Sequence, residues 1–297
     1  MKNFTEFLKE RNTTDTIREE YISEQYDILL EKLITVGGRA YPKFGNVVIM
    51  AGGAGSGKGF IKDKLLGLEG AIFDVDALKT LAAKVPVIRK KIKDEMGLDL
   101  EMISQNLKDP NNVAQLHQII GDYLDIPNKK QKAFFTSVLS ADMERKPNII
   151  FDVTLKDLYK LENITRRVSM FGYDTKNIHI VWVVNDIEVA KAQNQNRDRV
   201  VPTEILINTH RGASSTMADI VNMGDKIKKY MDGDIVFAFN KVKVDSDLVK
   251  SKTGGAYIKD AAYFYVKRKG KPPTSIELMD KEIRNKIRQY VPKGVEW

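Results

Sequence analysis

The chain has 297 residues, 42% of them hydrophobic and 30% charged, which supports one large core or a core with an appendage. It has no cysteine, which excludes disulfides and thiol chemistry, and its three histidines, His117, His179 and His210, lack zinc-ligand spacing, leaving only hard, oxygen-bound metals. The +8 formal charge suits a polyanion or plain solubility, while no apolar run approaches the roughly 18 residues of a membrane span and "MKNFTEFLKERNTTD" has no signal-type segment, so a cytoplasmic protein without membrane contact is expected.

In chain order, residues 1–40 place Ile17, Tyr21, Tyr26, Leu29, Leu30 and Leu33 at helical spacing, which predicts an N-terminal helical extension closing at "VGGRAYPKFG". From residue 46, short apolar runs alternate with longer helical stretches: "NVVIMAG", "AIFDVD", "NIIFDVT" and "NIHIVWVV". This alternation predicts an α/β domain over residues 41–232, with a parallel central sheet covered by helices on both faces. Residues 77–146, between the second and third runs, read as several helices punctuated by "KDPNN" and "DIPNKK", a helical insert. From 233 the texture changes to "DIVFAFNKVKV" and "GGAYIKDAAYFYVKRKGKPP". Residues 233–297 are therefore expected to form a C-terminal extension of antiparallel strands, closed by a helix over about 274–289.

The first strand runs into "GGAGSGKG", residues 52–59: Gly52, Gly53, Ala54, Gly55, Ser56, Gly57, Lys58 and Gly59. Gly52, Gly57 and Lys58 fit the G-x-x-x-x-G-K core of a phosphate loop, with a strand before it and an amphipathic segment from Phe60 after it. Glycine lets successive amides turn inward around an anion, and the helix that follows adds its positive end. Lys58 would then reach the β- and γ-phosphates of a nucleoside triphosphate. Where Ser or Thr commonly follows the lysine to hold magnesium, this chain has Gly59 and Phe60. The loop resembles that of adenylate-kinase-like nucleotide kinases, which also run lysine-glycine but place a threonine next. Magnesium would have to be held by phosphate oxygens, waters and carboxylates from other strands.

In an open parallel sheet, ligands sit beyond the carboxyl ends of the strands, so acids ending neighbouring strands should face the loop. "AIFDVDALK" ends with Asp74 and Asp76, and "NIIFDVT" ends with Asp152 and Thr154. A lone aspartate after a strand is also a common turn or helix cap; its combination with the loop gives it weight. Asp152, after an uncharged run, is a Walker-B-type candidate for orienting magnesium. Either Asp74 or Asp76 could be a general base, and an extended chain would point both the same way.

Taken together, "GGAGSGKG", "FDVDALK", "IIFDVT" and "RDRVVP" make residues 46–217 resemble the zeta-toxin and polynucleotide-kinase group of P-loop phosphotransferases. The resemblance implies a three-layer P-loop fold, ATP with Mg2+ as the phosphoryl donor, and a hydroxyl acceptor. It also implies that a D-x-x-R or D-x-x-K element supplies the carboxylate taking the acceptor's proton and a cation holding the acceptor; Asp76 and Lys79 match that spacing. By the same resemblance Asp152 is the second acidic position, and the insert lies over the acceptor.

After the strand ending at Val184, "AKAQNQNRDRVVPTEILINTHRG" starts as a helix, breaks at a polar bend and restarts near Pro202. Arg197 and Arg199 on that bend are candidates for stabilising charge on the transferring phosphoryl group; Arg211 is a weaker one. Two basic stretches, "PVIRKKIKDE" and "AYFYVKRKGK", could track phosphates and stack bases, although charge runs also solvate helix faces and alternating aromatics also mark half-buried strands. Nucleic acid is accordingly a candidate partner. The acceptors that fit are a polynucleotide 5′-hydroxyl or a hydroxymethylated base in DNA, with a nucleotide sugar as the rival; a nucleotide-binding switch or slow NTPase is the alternative from another class.

Overall fold

The computed structural model describes residues 35–36, 39–40, 45–62, 71–138, 146–240, 246–250, 256–261 and 263–297. The helical extension expected over 1–40 lies almost wholly outside them; Thr35–Val36 (β1) and Arg39–Ala40 (β2) pair antiparallel.

A sheet of six strands organises the molecule. Its members are Val47–Ala51 (β3), Ala71–Asp74 (β4), Ile149–Asp152 (β5), Ile178–Val184 (β6), Ile235–Phe239 (β7) and, after the ribbon of Ser246–Lys250 (β8) and Ala256–Ala261 (β9), Tyr263–Lys267 (β10). The order is β10-β7-β6-β3-β5-β4, with β3 to β7 mutually parallel where they pair and β10 antiparallel at one edge. The first strand thus lies between the third and the fourth of the parallel set, the switch point at which an open sheet leaves a crevice beyond its strand ends. β3, β6 and β7 are buried at every position and apolar apart from His179 of β6, as parallel strands covered on both faces must be.

Alternate residues of these strands enter two cores. Ile49, Phe151, Trp182 and Phe237 face Leu158–Met170 (α7), Thr203–Asn222 (α9) and Lys281–Tyr290 (α10); Met50, Ile150, Val183 and Val236 face Ile61 in the short helix Lys58–Ile61 (α1). Between β4 and β5 run Val75–Ala82 (α2), Pro86–Met96 (α3), Leu100–Gln105 (α4), Pro110–Leu116 (α5), a π-helical turn at His117–Tyr123 and Ile126–Val138 (α6). Ala82, Ile92, Leu100, Ile103, Leu116 and Ile120 close a third core within this insert. Its helices start where the sequence says they should: Asp99 and Asp109 cap α4 and α5 through their carboxylates, and Pro86 and Pro110 open α3 and α5.

Three expectations are corrected. "DIVFAFNKVKV" does not begin a separate unit: Ile235–Phe239 pairs antiparallel with β10, as expected, but its other edge pairs parallel with β6 inside the main sheet, so the sheet continues past residue 232. The continuous apolar run "IVFAF" has no polar face to leave in solvent, which is why it is buried between two neighbours. The last helix begins at Lys281 rather than near 274, because Asp280 accepts from the amides of Glu282 and Ile283 and sets the cap there. Nor does the chain stay extended from Asp74 to Asp76; α2 starts at Val75, and the two carboxylates part company.

Candidate active site

The glycine segment between β3 and α1 is fixed by bonds to its carbonyl oxygens. Lys58 Nζ donates to Gly52 O at 2.9 Å and Gly53 O at 3.3 Å, the His210 imidazole Nε2 to Ala54 O at 2.7 Å, Asn185 Nδ2 to Gly55 O at 3.2 Å and Asn240 Nδ2 to Ser56 O at 3.0 Å. Five consecutive peptide oxygens, Gly52 to Ser56, are therefore engaged, the first two by Lys58 of the same loop and the other three by donors from distant parts of the chain. Behind them, Gly52 N donates to Thr154 O at 3.2 Å and Ala54 N to Thr209 Oγ1 at 3.1 Å.

Two glycines are required by contact rather than by pattern alone. A β-carbon on Gly53 would lie 2.1 Å from His210 Cδ2, and one on Gly57 would lie 1.8 Å from Asn240 Nδ2 at a φ of +87°. Gly59, by contrast, has open space where a side chain would go. Phe60 and Ile61 point into the core against β3 and β5, and Ser56 is buried with its hydroxyl making no bond among the described residues.

His210 is 6% exposed, and burial pushes its pKa down to about 4, the bond to Ala54 opposing and Lys58 assisting. It is a neutral donor at physiological pH. The sequence offered no partner for it; the fold brings α9 against the loop and supplies one.

Asp152 ends β5 with its carboxylate 3.6 Å from Lys58 Nζ, and it is the register partner of Asp74 on β4. Burial raises its pKa; Lys58 holds it down while Asp74 adds to the rise. Asp74 itself is a helix cap: its Oδ1 accepts from the amides of Asp76 at 2.9 Å and Ala77 at 3.0 Å.

Asp76 stands in the first turn of α2, and the three-residue spacing to Lys79 sets both on one helix face. Its Oδ1 receives two cations, Lys79 Nζ at 3.3 Å and Arg199 Nη1 at 3.0 Å. No described residue is bonded to Oδ2. Partial burial works against the charge, but Arg199 and Lys79 outweigh it, and the carboxyl titrates below the usual range. Lys79 is only 3% exposed, sealed beneath the insert, where it also meets His117 Nδ1. Burial lowers its pKa despite the pull of Asp76. The lysine singled out as an acceptor clamp thus faces the carboxylate from behind.

Arg199 comes from the bend between Ile187–Gln195 (α8) and α9. That bend is closed by Asn194, whose side chain donates to Val201 O at 2.7 Å and accepts from Val201 N at 3.0 Å. It is joined to the insert by Val200 N donating to Leu107 O at 2.9 Å. Arg197 is exposed on the same bend, and Arg211 lies exposed on α9, bonded to Asn208. The site therefore gathers Lys58, Asp152, Asp76, Lys79 and Arg199, with Asp74 as scaffold. Asn185, Thr209 and Asn240, single polar residues at strand ends or within a helix, were not singled out from the sequence; a polar residue directly after an apolar run, as in "VVN" and "FAFN", was the available signal.

A divalent cation has one fitting carboxylate here, Asp152. Among the described residues no group of three or more acidic or histidine side chains is positioned to cage a metal, and Gly59 offers no hydroxyl. That donor set suits an ion that keeps its waters and takes phosphate oxygens.

No protein-family model matches this sequence, and no curated protein matches it. Several solved structures are similar in fold. One comes from a study of the PezAT chromosomal toxin-antitoxin system of Streptococcus pneumoniae, at 14% identity and a TM-score of 0.41, covering 76% of this chain and 77% of that one. Another is the AvrRxo1-ORF1:AvrRxo1-ORF2 complex with sulphate ions, at 12% identity and a TM-score of 0.44, covering 95% and 87%. The AvrRxo1-ORF1:-ORF2 structure with ATP gives 14% identity and a TM-score of 0.41, covering 84% and 72%. At these identities and scores the chemistry of this chain has to be read from its own residues.

Proposed function

We propose that this protein is an ATP-dependent phosphotransferase that moves the γ-phosphate onto a hydroxyl of a nucleotide or nucleic acid. The observation that carries the reading is the engagement of five loop oxygens, three from distant residues and two by Lys58, which leaves the loop amides other than those of Gly52, Ala54 and Ser56 for an anion. Transfer to an alcohol needs mainly positioning and charge neutralisation. Lys58, now resting on Gly52 and Gly53, would swing to the β- and γ-phosphates. The acceptor oxygen bonds to the γ-phosphorus as the bond to the bridging oxygen breaks and ADP leaves, and the hydroxyl proton passes to Asp76 Oδ2. A carboxylate below its usual pKa is a weak base but is sufficient here, because the proton moves late, when the oxygen is already bonding. Lys79 orients the base, and Arg199, with Arg197 from the same bend, offsets charge on the transferring group. Mg2+, when bound, neutralises phosphate charge; Asp152 is the residue that would hold it, through water.

Within this acceptor class the geometry favours a nucleotide or nucleotide sugar over a long strand. The run "AYFYVKRKGK" is occupied by structure: Phe264 packs on Phe237 and Phe239, Lys267 is buried on Asp232 at 2.9 Å, and Arg268 covers the Tyr265 ring at 3.1 Å. In "PVIRKKIKDE", Arg89 is bonded to Glu101 and Lys91 to Glu95. Labelled ATP offered with nucleotides, nucleotide sugars, 5′-hydroxyl oligonucleotides and hydroxymethylated duplex reads the acceptor directly, with label expected on the small acceptors. Asp76→Asn should abolish transfer and keep ATP binding. Phosphate released to water alone, with every acceptor unlabelled, would leave the slow-NTPase reading in its place.

A further inference from the structure

Beyond the five site residues lies a titratable group that the transfer chemistry does not use. His117 opens the π-helical turn, a wide-turn element that often marks functional positions. Its Nδ1 meets Lys79 Nζ, while its Nε2 looks the other way, 3.9 Å from Asp122 Oδ1. Gly121 of the same turn lies against both partners: a β-carbon there would touch His117 Nδ1 and Lys79 Cε, each at 3.5 Å. An ammonium has only donors, so the nitrogen facing it must be the unprotonated one, with the ring hydrogen on Nε2. Lys79 then has two directing partners, the imidazole behind and Asp76 Oδ1 in front.

We propose that His117 is a positioning residue for the transfer reaction: the neutral ring holds Lys79 against Asp76, and the imidazolium releases it. The inference rests on the phosphotransferase reading for its catalytic consequence. The groups facing the ring are Lys79 and Asp76 from α2, Arg199 from the bend and Asp122 from its own turn. Burial and then Lys79 push the His117 pKa below its ordinary value of 6.5; Asp122 and Asp76 oppose this, and Arg199 adds to it. The ring is therefore neutral at physiological pH. On acidification the ring gains its proton as pH falls below the ordinary histidine range. Activity toward the acceptor is lost as pH falls through the His117 pKa.

Two measurements decide it. Long-range proton–nitrogen NMR of the full-length labelled protein reads the tautomer and titration of His117 without any turnover. The expected result is an Nε2–H ring titrating below 6.5, with the titration moving upward in Lys79→Met. An Nδ1–H ring, or a titration indifferent to Lys79→Met, overturns the contact. In the second measurement, pH profiles of kcat/KM are taken for whichever small acceptor is labelled. His117→Asn, which can present an amide oxygen where Nδ1 stood, should lose the histidine acid limb and keep the acceptor KM. His117→Phe should lower kcat/KM by about tenfold with the KM for ATP unmoved. An acid limb that persists unchanged in His117→Asn overturns the positioning role. If the unaltered protein labels no acceptor at all, the phosphotransferase reading fails, and the NMR result still decides the contact by itself.

Discussion

Asp74 and Asp76 stand two positions apart and do different work because a helix begins between them. Asp74→Asn retains an acceptor for the amides of Asp76 and Ala77 and is expected to keep transfer, whereas Asp76→Asn removes the proposed base; parallel turnover measurements on the two variants separate cap from proposed catalyst. Gly57→Ala places a methyl at 1.8 Å from Asn240 Nδ2 and would drive it off Ser56 O. Titration with an ATP analogue should show affinity falling by about tenfold or more, whereas the fold should survive Gly59→Ala, where space is open. His210 gives a pH effect of defined sign. Its folded pKa, about 4, lies below the 6.5 of the unfolded chain, so stability is full above 6.5 and is lost as pH falls from there toward 4. The loss is on the order of 3 kcal/mol, and chemical denaturation at pH 7.5 and 5.0 should show the decline. The glycines, Lys58 and Asp152 were legible in the sequence because each follows directly from a local pattern. Asn185, Thr209, His210 and Asn240 were not, because what brings them to the loop is a contact across more than a hundred residues of chain.

At the level of elements, the bend between α8 and α9 is held by one side chain. Asn194 is 3% exposed and satisfies both backbone groups of Val201. Asn194→Ala leaves that N–H and C=O without partners, at a cost of about 1–3 kcal/mol. The expected outcome is a lowered melting midpoint and a reduced kcat with ATP affinity nearly unchanged, because Arg199 rides on the bend and the glycine loop does not. The sequence showed the bend as a polar interruption and marked its arginines. It did not show that Arg199 reaches the insert while Arg197 stays exposed, a distinction set by which way the closed bend turns. The strand β7 was misread for a related reason. An apolar run of that length is compatible with an edge or a centre, and only pairing with β6 decides which.

Across the whole molecule, the chain's last residue is part of the central core. Trp297 is 3% exposed, stacks on Trp182 with ring centres 5.1 Å apart, and donates from Nε1 to Ser214 Oγ at 2.8 Å. Trp297→Ala should cost about 3–5 kcal/mol, read as a lowered denaturation midpoint. Nucleotide affinity per folded molecule should be nearly unaffected. The parallel α/β character and the helical insert were visible as alternation and as a long gap between strands. The sheet order was not, since it depends on which strands lie side by side.

The glycine turn is clasped by residues from the far half of the chain, the last of them Asn240. During synthesis the turn leaves the ribosome more than a hundred residues before its clasps. A nascent polypeptide would therefore carry the motif without the grip, and the proposed triphosphate capture would wait until nearly the entire sheet has been assembled.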